Sequence, residues 1–249
     1  MNTNIRAGWL VAGWLLAAAA LTAQTTVQEN LSRADKQFDL YAYNLALRTY
    51  EQVIKEQPNN AHALARVGDC YFQLNKPTEA LTWYDRAVIL GTASPETMFN
   101  YQNARMHTGD YIGAKKWFVL YAERNRDVGM HYAQMCDFAL HAATKESMFL
   151  VLNEPLNTTA ADYCPAFYES KIVYSSARTD IQRKTSAKTS ADWTGSAYNQ
   201  LYVTQRNPAD NYLQQPAFLR GDLQNNYNEG PVSFSADGRK VVYCRNNFI

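Results

Sequence analysis

Eight side chains are of types that could grip another polypeptide: Asp35, Phe38, Asp69, Phe72, Gln73, Asn103, Met106 and His107. Their carboxylate, amide and imidazole groups would bond the polar groups of an extended or helical segment, and their apolar members would hold its hydrophobic side chains. The competing reading is that Phe38, Phe72 and Met106 merely cover the inner surface of a helical stack. Covalent chemistry has less footing. No GxSxG elbow, HExxH, Walker loop or GxGxxG occurs. His131 and His141 stand ten residues apart, neither with a second ligand at helical spacing, and His62 and His107 join them as helix-packing or surface residues. Cys70, Cys136, Cys164 and Cys244 are widely scattered and form no CxxC pair. The first two are expected to be buried as small apolar side chains, and a Cys164–Cys244 bridge is one arrangement open to the others. Asp237-Gly238 reads as turn chemistry, since no further carboxylates follow. No catalytic residue, cofactor or metal site is expected.

The elements that must position the eight follow from a period. Ala46, Ala80 and Ala114 are spaced by 34, as are Tyr50, Tyr84 and Phe118, then Tyr43, Pro77 and Tyr111, then Phe38, Phe72 and Met106. A small residue lets two helices approach, and an aromatic one turn later fills the space beside the next unit. Turn residues fall between: Gln57 to Asn60, Asn75 to Pro77, Gly91 to Pro95 and Thr108 to Tyr111. Ser94 predicts an N-cap with Pro95 at the first helical position. A period of 34 is that of the tetratricopeptide repeat (TPR), a helix–turn–helix unit. The middle unit resembles that family best, through Leu64, Val67, Gly68, Tyr71, Ala80, Tyr84 and Ala87. The first unit departs from the pattern at Arg33. Three repeats are expected over about 27–125, followed by a capping helix over about 127–145 that turns Tyr132, Met135, Cys136 and Ala139 inward. In arrays of this family the first helix of each pair makes the concave, peptide-binding face, and the eight residues above are assigned to it.

After residue 150 the pattern changes to short aromatic and β-branched runs bounded by Asn, Asp, Gly, Pro and Ser. Strands are expected at 171–175, 200–204, 232–235 and 240–243, with a hairpin turn at Ala236-Asp237-Gly238. The segment from Asn228 to Tyr243 resembles the repeat of TolB-like, WD40-like β-propellers, and a weaker copy runs from Asp162 to Ser176. Between the copies, 183–194 reads as a polar insertion. A propeller needs four to eight blades. One blade and the start of a second therefore read as a piece of a longer protein.

Composition bounds the function. Hydrophobic residues make up 47% and charged residues 19%, with a formal net charge of +1, which suits a folded domain and supplies no basic stripe for nucleic acid. Arg6, the apolar run from Gly8 to Leu21 and the small residues before Gln24 predict a signal peptide over 1–23, cut after Ala23. The run is short of the roughly 20 residues that span a bilayer; an uncleaved anchor is the alternative.

The expected architecture is therefore α then β: residues 24–150 as a TPR α-solenoid with its cap, and 151–249 as an incomplete β-propeller. This order resembles the N-terminal half of the OmpA-family envelope proteins of the Bacteroidota, among them components of type IX secretion. The resemblance covers most of the chain. It implies a periplasmic, outer-membrane-associated scaffold that docks an envelope protein and reaches peptidoglycan only through a C-terminal OmpA-like domain not in this sequence. The rivals are the N-terminal part of a propeller-containing serine peptidase and a free-standing TPR adaptor.

Overall fold

The computed structural model describes residues 24–91, 93–145, 149–181, 193–219 and 227–246. The expected signal peptide and most of the expected insertion lie outside the described residues. The chain divides into two compact units, 1–146 and 147–249.

Among the described residues the first unit has seven helices: α1 (24–39), α2 (Tyr43–Glu56), α3 (Ala61–Gln73), α4 (Pro77–Ile89), α5 (Pro95–His107), α6 (Tyr111–Tyr121) and α7 (Arg126–Ala142). Their starts are chemically marked. Asn60, Ser94 and Asn125 accept from the backbone N–H of Ala63, Thr97 and Val128 at 3.0, 3.1 and 3.3 Å, each satisfying a donor that the first turn would otherwise orphan. Pro77 and Pro95 occupy first turns. The stops recur with the repeat. Tyr41, Asn75 and Gly109, 34 apart, all have positive φ (61°, 57° and 90°). After each, the same two backbone bonds return to the preceding helix, as in Asn75 N–H to Phe72 and Lys76 N–H to Tyr71. This is the left-handed helix stop that glycine favours, and only the third repeat uses glycine.

The predicted columns form the core. Ala46, Ala80 and Ala114 are fully buried, as are Tyr50, Tyr84 and Phe118. One apolar cluster joins α1–α4, a second joins Ala80 and Tyr84 to Ala104, and a third packs α6 against α7 through Phe118, Ala133 and Cys136. The cap departs from expectation. Cys136 is buried and Tyr132 packs inward, but Met135 is 44% exposed, and Gly129 and Ala133 take the inner positions. The step is also shorter, since Asn125 caps α7 only 31 residues after Ser94, not 34. Gly129 permits it, since a Cβ there would lie 2.5 Å from the backbone nitrogen of Ala122. No described helix is long and apolar enough to cross a membrane.

The second unit contains β1 (Asp162–Tyr168), β2 (Lys171–Ser176), β3 (Gln200–Gln205), β4 (Ala217–Phe218), β5 (Glu229–Phe234) and β6 (Val241–Arg245). β1 to β4 form an antiparallel sheet in chain order, and β5 pairs with β6. Among the described residues these sheets do not close into a ring. The two expected motif copies are structurally alike. The β1–β2 register slips between Tyr163 and Ala166, and the β5–β6 register slips between Glu229 and Val232. Each slip spans a proline, Pro165 or Pro231, which has no N–H for the ladder. Three residues past each proline, Tyr168 and Phe234 stack at 4.5 Å over a core of Val173, Leu201 and Val232. The turns differ as read: Glu169 has φ 52° in the short hairpin, and Gly238 has φ 67° in the Asp-Gly one. Cys164 and Cys244 are exposed free thiols, not a bridge.

Candidate protein-docking surface

Helix geometry brings residues at i, i+4, i+7 and i+11 onto one face. On α3 that stripe is His62, Arg66, Asp69 and Gln73, and on α5 it is Glu96, Asn100, Asn103 and His107. The matching stripes are Gln28, Ser32, Asp35 and Asp39 on α1, and Asp127, His131, Gln134 and Phe138 on α7 once its 31-residue step is applied.

Contacts join these stripes into one surface. His62 Nε2 lies 2.8 Å from Asp35 Oδ1, linking α1 to α3. Asn100 Nδ2 donates to Asp69 Oδ1 at 3.0 Å, linking α3 to α5. Phe72 and His107 meet edge to face at 5.2 Å. Beyond them an open groove of about 560 Å³ is lined by Met106, His107, Tyr111, His131, Gln134, Met135, Phe138 and Ala139. Phe138 is 76% exposed.

Two carboxylates of the stripes are anchored by tyrosines. Tyr50 donates to Asp35 at 2.5 Å and Tyr84 to Asp69 at 2.8 Å. Burial works to raise the Asp35 carboxyl, but the Tyr50 and His62 hydrogen bonds outweigh it and hold it below the usual carboxylate range. The Tyr50 and Tyr84 hydroxyls are driven well above the ordinary phenol range by burial, with the adjoining carboxylates acting in the same direction. Burial also pushes the Cys70 and Cys136 thiols up, which makes them poor nucleophiles. Among the described residues no three of His, Cys, Asp and Glu converge as metal ligands.

The eight predicted residues do not all reach the surface. Asp35 and Asn103 are half-exposed, Gln73 and His107 are exposed, and Met106 lines the groove. Phe72 is half-buried beneath His107. Asp69 has to be withdrawn as a direct contact. It is 5% exposed, because Tyr84, Asn100 and Arg66 all point hydrogen-bond donors at its carboxylate. Phe38 packs on the first core cluster beneath the Arg66 guanidinium, 4.6 Å from its ring, so for this residue covering is the role observed. The stripe adds His62, Arg66, Glu96, Asn100, His131, Gln134 and Phe138. The signal for the first four was the spacing already in use. For the last three it was the cap at Asn125.

Comparison with known proteins bears on the repeats themselves. A family model described as the tetratricopeptide repeat matches residues 31–95. The helical unit carries tetratricopeptide repeats. A curated relative, Tetratricopeptide repeat protein 8 of Caenorhabditis elegans, is 31% identical over 80 residues, 32% of this chain and 14% of the relative. The chain thus spans about a seventh of the length of the curated relative it matches. Among solved structures, the first TPR of Spaghetti (RPAP3) bound to an HSP90 peptide is similar at TM-score 0.43 and 22% identity, covering 47% of this chain and 94% of that one. The Sgt2 TPR domain from Aspergillus fumigatus is similar at TM-score 0.42 and 15% identity, covering 53% and 91%.

Proposed function

We propose that the chain is a non-catalytic scaffold whose repeat array docks a segment of another protein. The observation that carries this is the continuity of one polar stripe across four helices into an open apolar groove.

The setting belongs to the same proposal and rests on the resemblance. The protein is exported by its N-terminal segment and works in the periplasm at the outer membrane. Its β-rich region opens a WD40-like propeller, for which the shared proline slip and the Tyr168–Phe234 stack of the two hairpins are the structural support. An OmpA-like domain encoded beyond residue 249 would provide a link to the cell wall. A free-standing adaptor uses the same docking surface and differs only in lacking that link.

The test is capture from envelope extract by the whole chain. An outer-membrane protein retained by the wild type and lost from a His107→Ser, Phe138→Ser variant of unchanged helicity is the expected result. Equal retention by both would remove the surface from the proposal.

A further inference from the structure

We propose that the segment docked on this surface is basic and apolar in tandem: one or two large hydrophobic side chains that enter the groove, and a lysine- or arginine-rich run that lies over the stripe. The inference rests on the docking reading above and adds the chemistry of the occupant.

The charge distribution carries it. The chain as a whole is nearly neutral, with a formal charge of +1. The stripe is not. Asp35, Asp39, Glu96 and Asp127 give it four carboxylates that reach solvent, beside the buried Asp69, and Arg66 is its one permanent cation. Arg66 is already committed, bonded to Asp69 at 3.4 Å and seated over Phe38. Asp39, Glu96 and Asp127 are exposed. An acidic segment would meet uncompensated like charge here, and a basic one would be steered in.

The apolar groove has a different character. Its polar members are two imidazoles, an amide and the Tyr111 phenol, and no carboxylate lines it. The two regions are joined by α5, whose stripe runs from Glu96 at the acidic end to His107 at the groove. That is three helical turns, about 16 Å at the helical rise, or about five residues of extended chain. The hydrophobic anchor and the basic run of the partner are therefore separated by about that length.

Fluorescence polarisation on the whole protein tests this with three labelled peptides. One carries Phe-Leu, a five-residue Gly/Ser spacer and four lysines; the second replaces the lysines by glutamates; the third replaces Phe-Leu by Ser-Ser. The lysine peptide with its anchor is expected to bind tightest and to weaken with added salt. Glu96→Gln with Asp127→Asn should weaken it about fivefold. Phe138→Ser should weaken it as well and should not affect the anchor-free peptide. Because all three substituted residues are exposed, helicity at 222 nm is expected to stay unchanged. Binding of the glutamate peptide equal to or above that of the lysine peptide overturns the charge assignment but leaves the docking reading standing. So does lysine-peptide binding indifferent to the carboxylate variant. If no peptide binds, the inference fails, and the docking reading falls with it only if the envelope capture is also empty.

Discussion

Tyr84 donates its hydroxyl to Asp69 across 2.8 Å inside the array, and 34 residues further on both partners are replaced together, by Phe118 and Asn103. The pair occurs in the first repeat as Tyr50 and Asp35. A buried carboxylate without its donor, or a buried phenol without its acceptor, would be costly, so the column changes as a unit. Tyr84→Phe should destabilise the array by about 2 kcal/mol, the range for a hydrogen bond to a charged group. Asp69→Asn should also destabilise it. The double variant, which reproduces the third repeat, should cost clearly less than the sum of the two. Urea unfolding followed at 222 nm measures all three, and strict additivity would show that the residues are merely neighbours.

Gly68 is required by the same tyrosine. A Cβ at this position would stand 2.6 Å from Tyr84 Cε1 and 2.7 Å from Cδ1. The ring cannot swing aside without breaking its bond to Asp69. Gly68→Ala should therefore destabilise by about 2 kcal/mol through overpacking, although alanine is the better helix former. A Gly68→Ala, Tyr84→Leu variant, which frees the space, should lose less from the alanine. Equal losses in the two backgrounds would contradict this account.

These contacts explain what could be read from the chain alone. Ala46, Ala80 and Ala114 lie where helices touch, and a contact of that kind constrains residue type at each repeat, so the period was visible. The Asp69 environment was not, since an aspartate's type suggests water and its burial depends on Tyr84, Arg66 and Asn100, drawn from three different turns of structure. The groove was missed for a geometric reason. Its α7 wall follows α5 by a step of 31 residues, with Gly129 crossing tightly on Ala122, and Met135 stands 44% exposed on it. In the β-rich unit, short β4 has only two residues, too few for any alternation to register.

Alkaline pH should weaken the array through its buried tyrosines. The Tyr50 and Tyr84 hydroxyls are raised in the folded state by burial, whereas unfolded tyrosine ionises near ~10. Above that pH the unfolded chain releases protons that the folded one retains, so stability is present below about 10 and falls as pH rises further. Denaturation midpoints taken from pH 8 to pH 11 should decline beyond 10. The decline should be shallower in Tyr84→Phe, and a flat profile would refute the assignment.

The first repeat carries a correctable cost. Tyr41 holds φ 61° at the stop of α1, the position filled by Gly109 in the third repeat. A left-handed conformation is unfavourable for tyrosine and neutral for glycine. Its side chain is 63% exposed, so little packing is lost on removal. Tyr41→Gly should stabilise the array by about 1 kcal/mol, and Tyr41→Ala, which keeps the Cβ, should not. A destabilised glycine variant would mean that the ring contact between Tyr41 and Tyr43 at 6.1 Å outweighs the backbone term.

In the β-rich unit the most consequential single side chain is Arg178, 1% exposed. Its guanidinium forms a two-bond fork to Asp180, with both contacts at 2.8 Å, reaches the Tyr174 hydroxyl at 2.7 Å and donates to the Leu156 carbonyl at 3.1 Å. It also lies 5.7 Å from the Tyr202 ring centroid. The side chain thus ties the segment before β1 to the sheet at β2 and β3. Arg178→Ala would leave the Tyr174 hydroxyl and the Leu156 carbonyl without this donor, at a cost of about 3 kcal/mol. Arg178→Lys keeps the charge but cannot form the fork, so it should rescue only part of the loss. Because the Leu156 bond is local, cleavage by a broad-specificity protease between 154 and 160 should accelerate more than cleavage within β2 or β3. Uniform acceleration across the unit would instead show that Arg178 supports the sheet as a whole and does not specifically hold this segment.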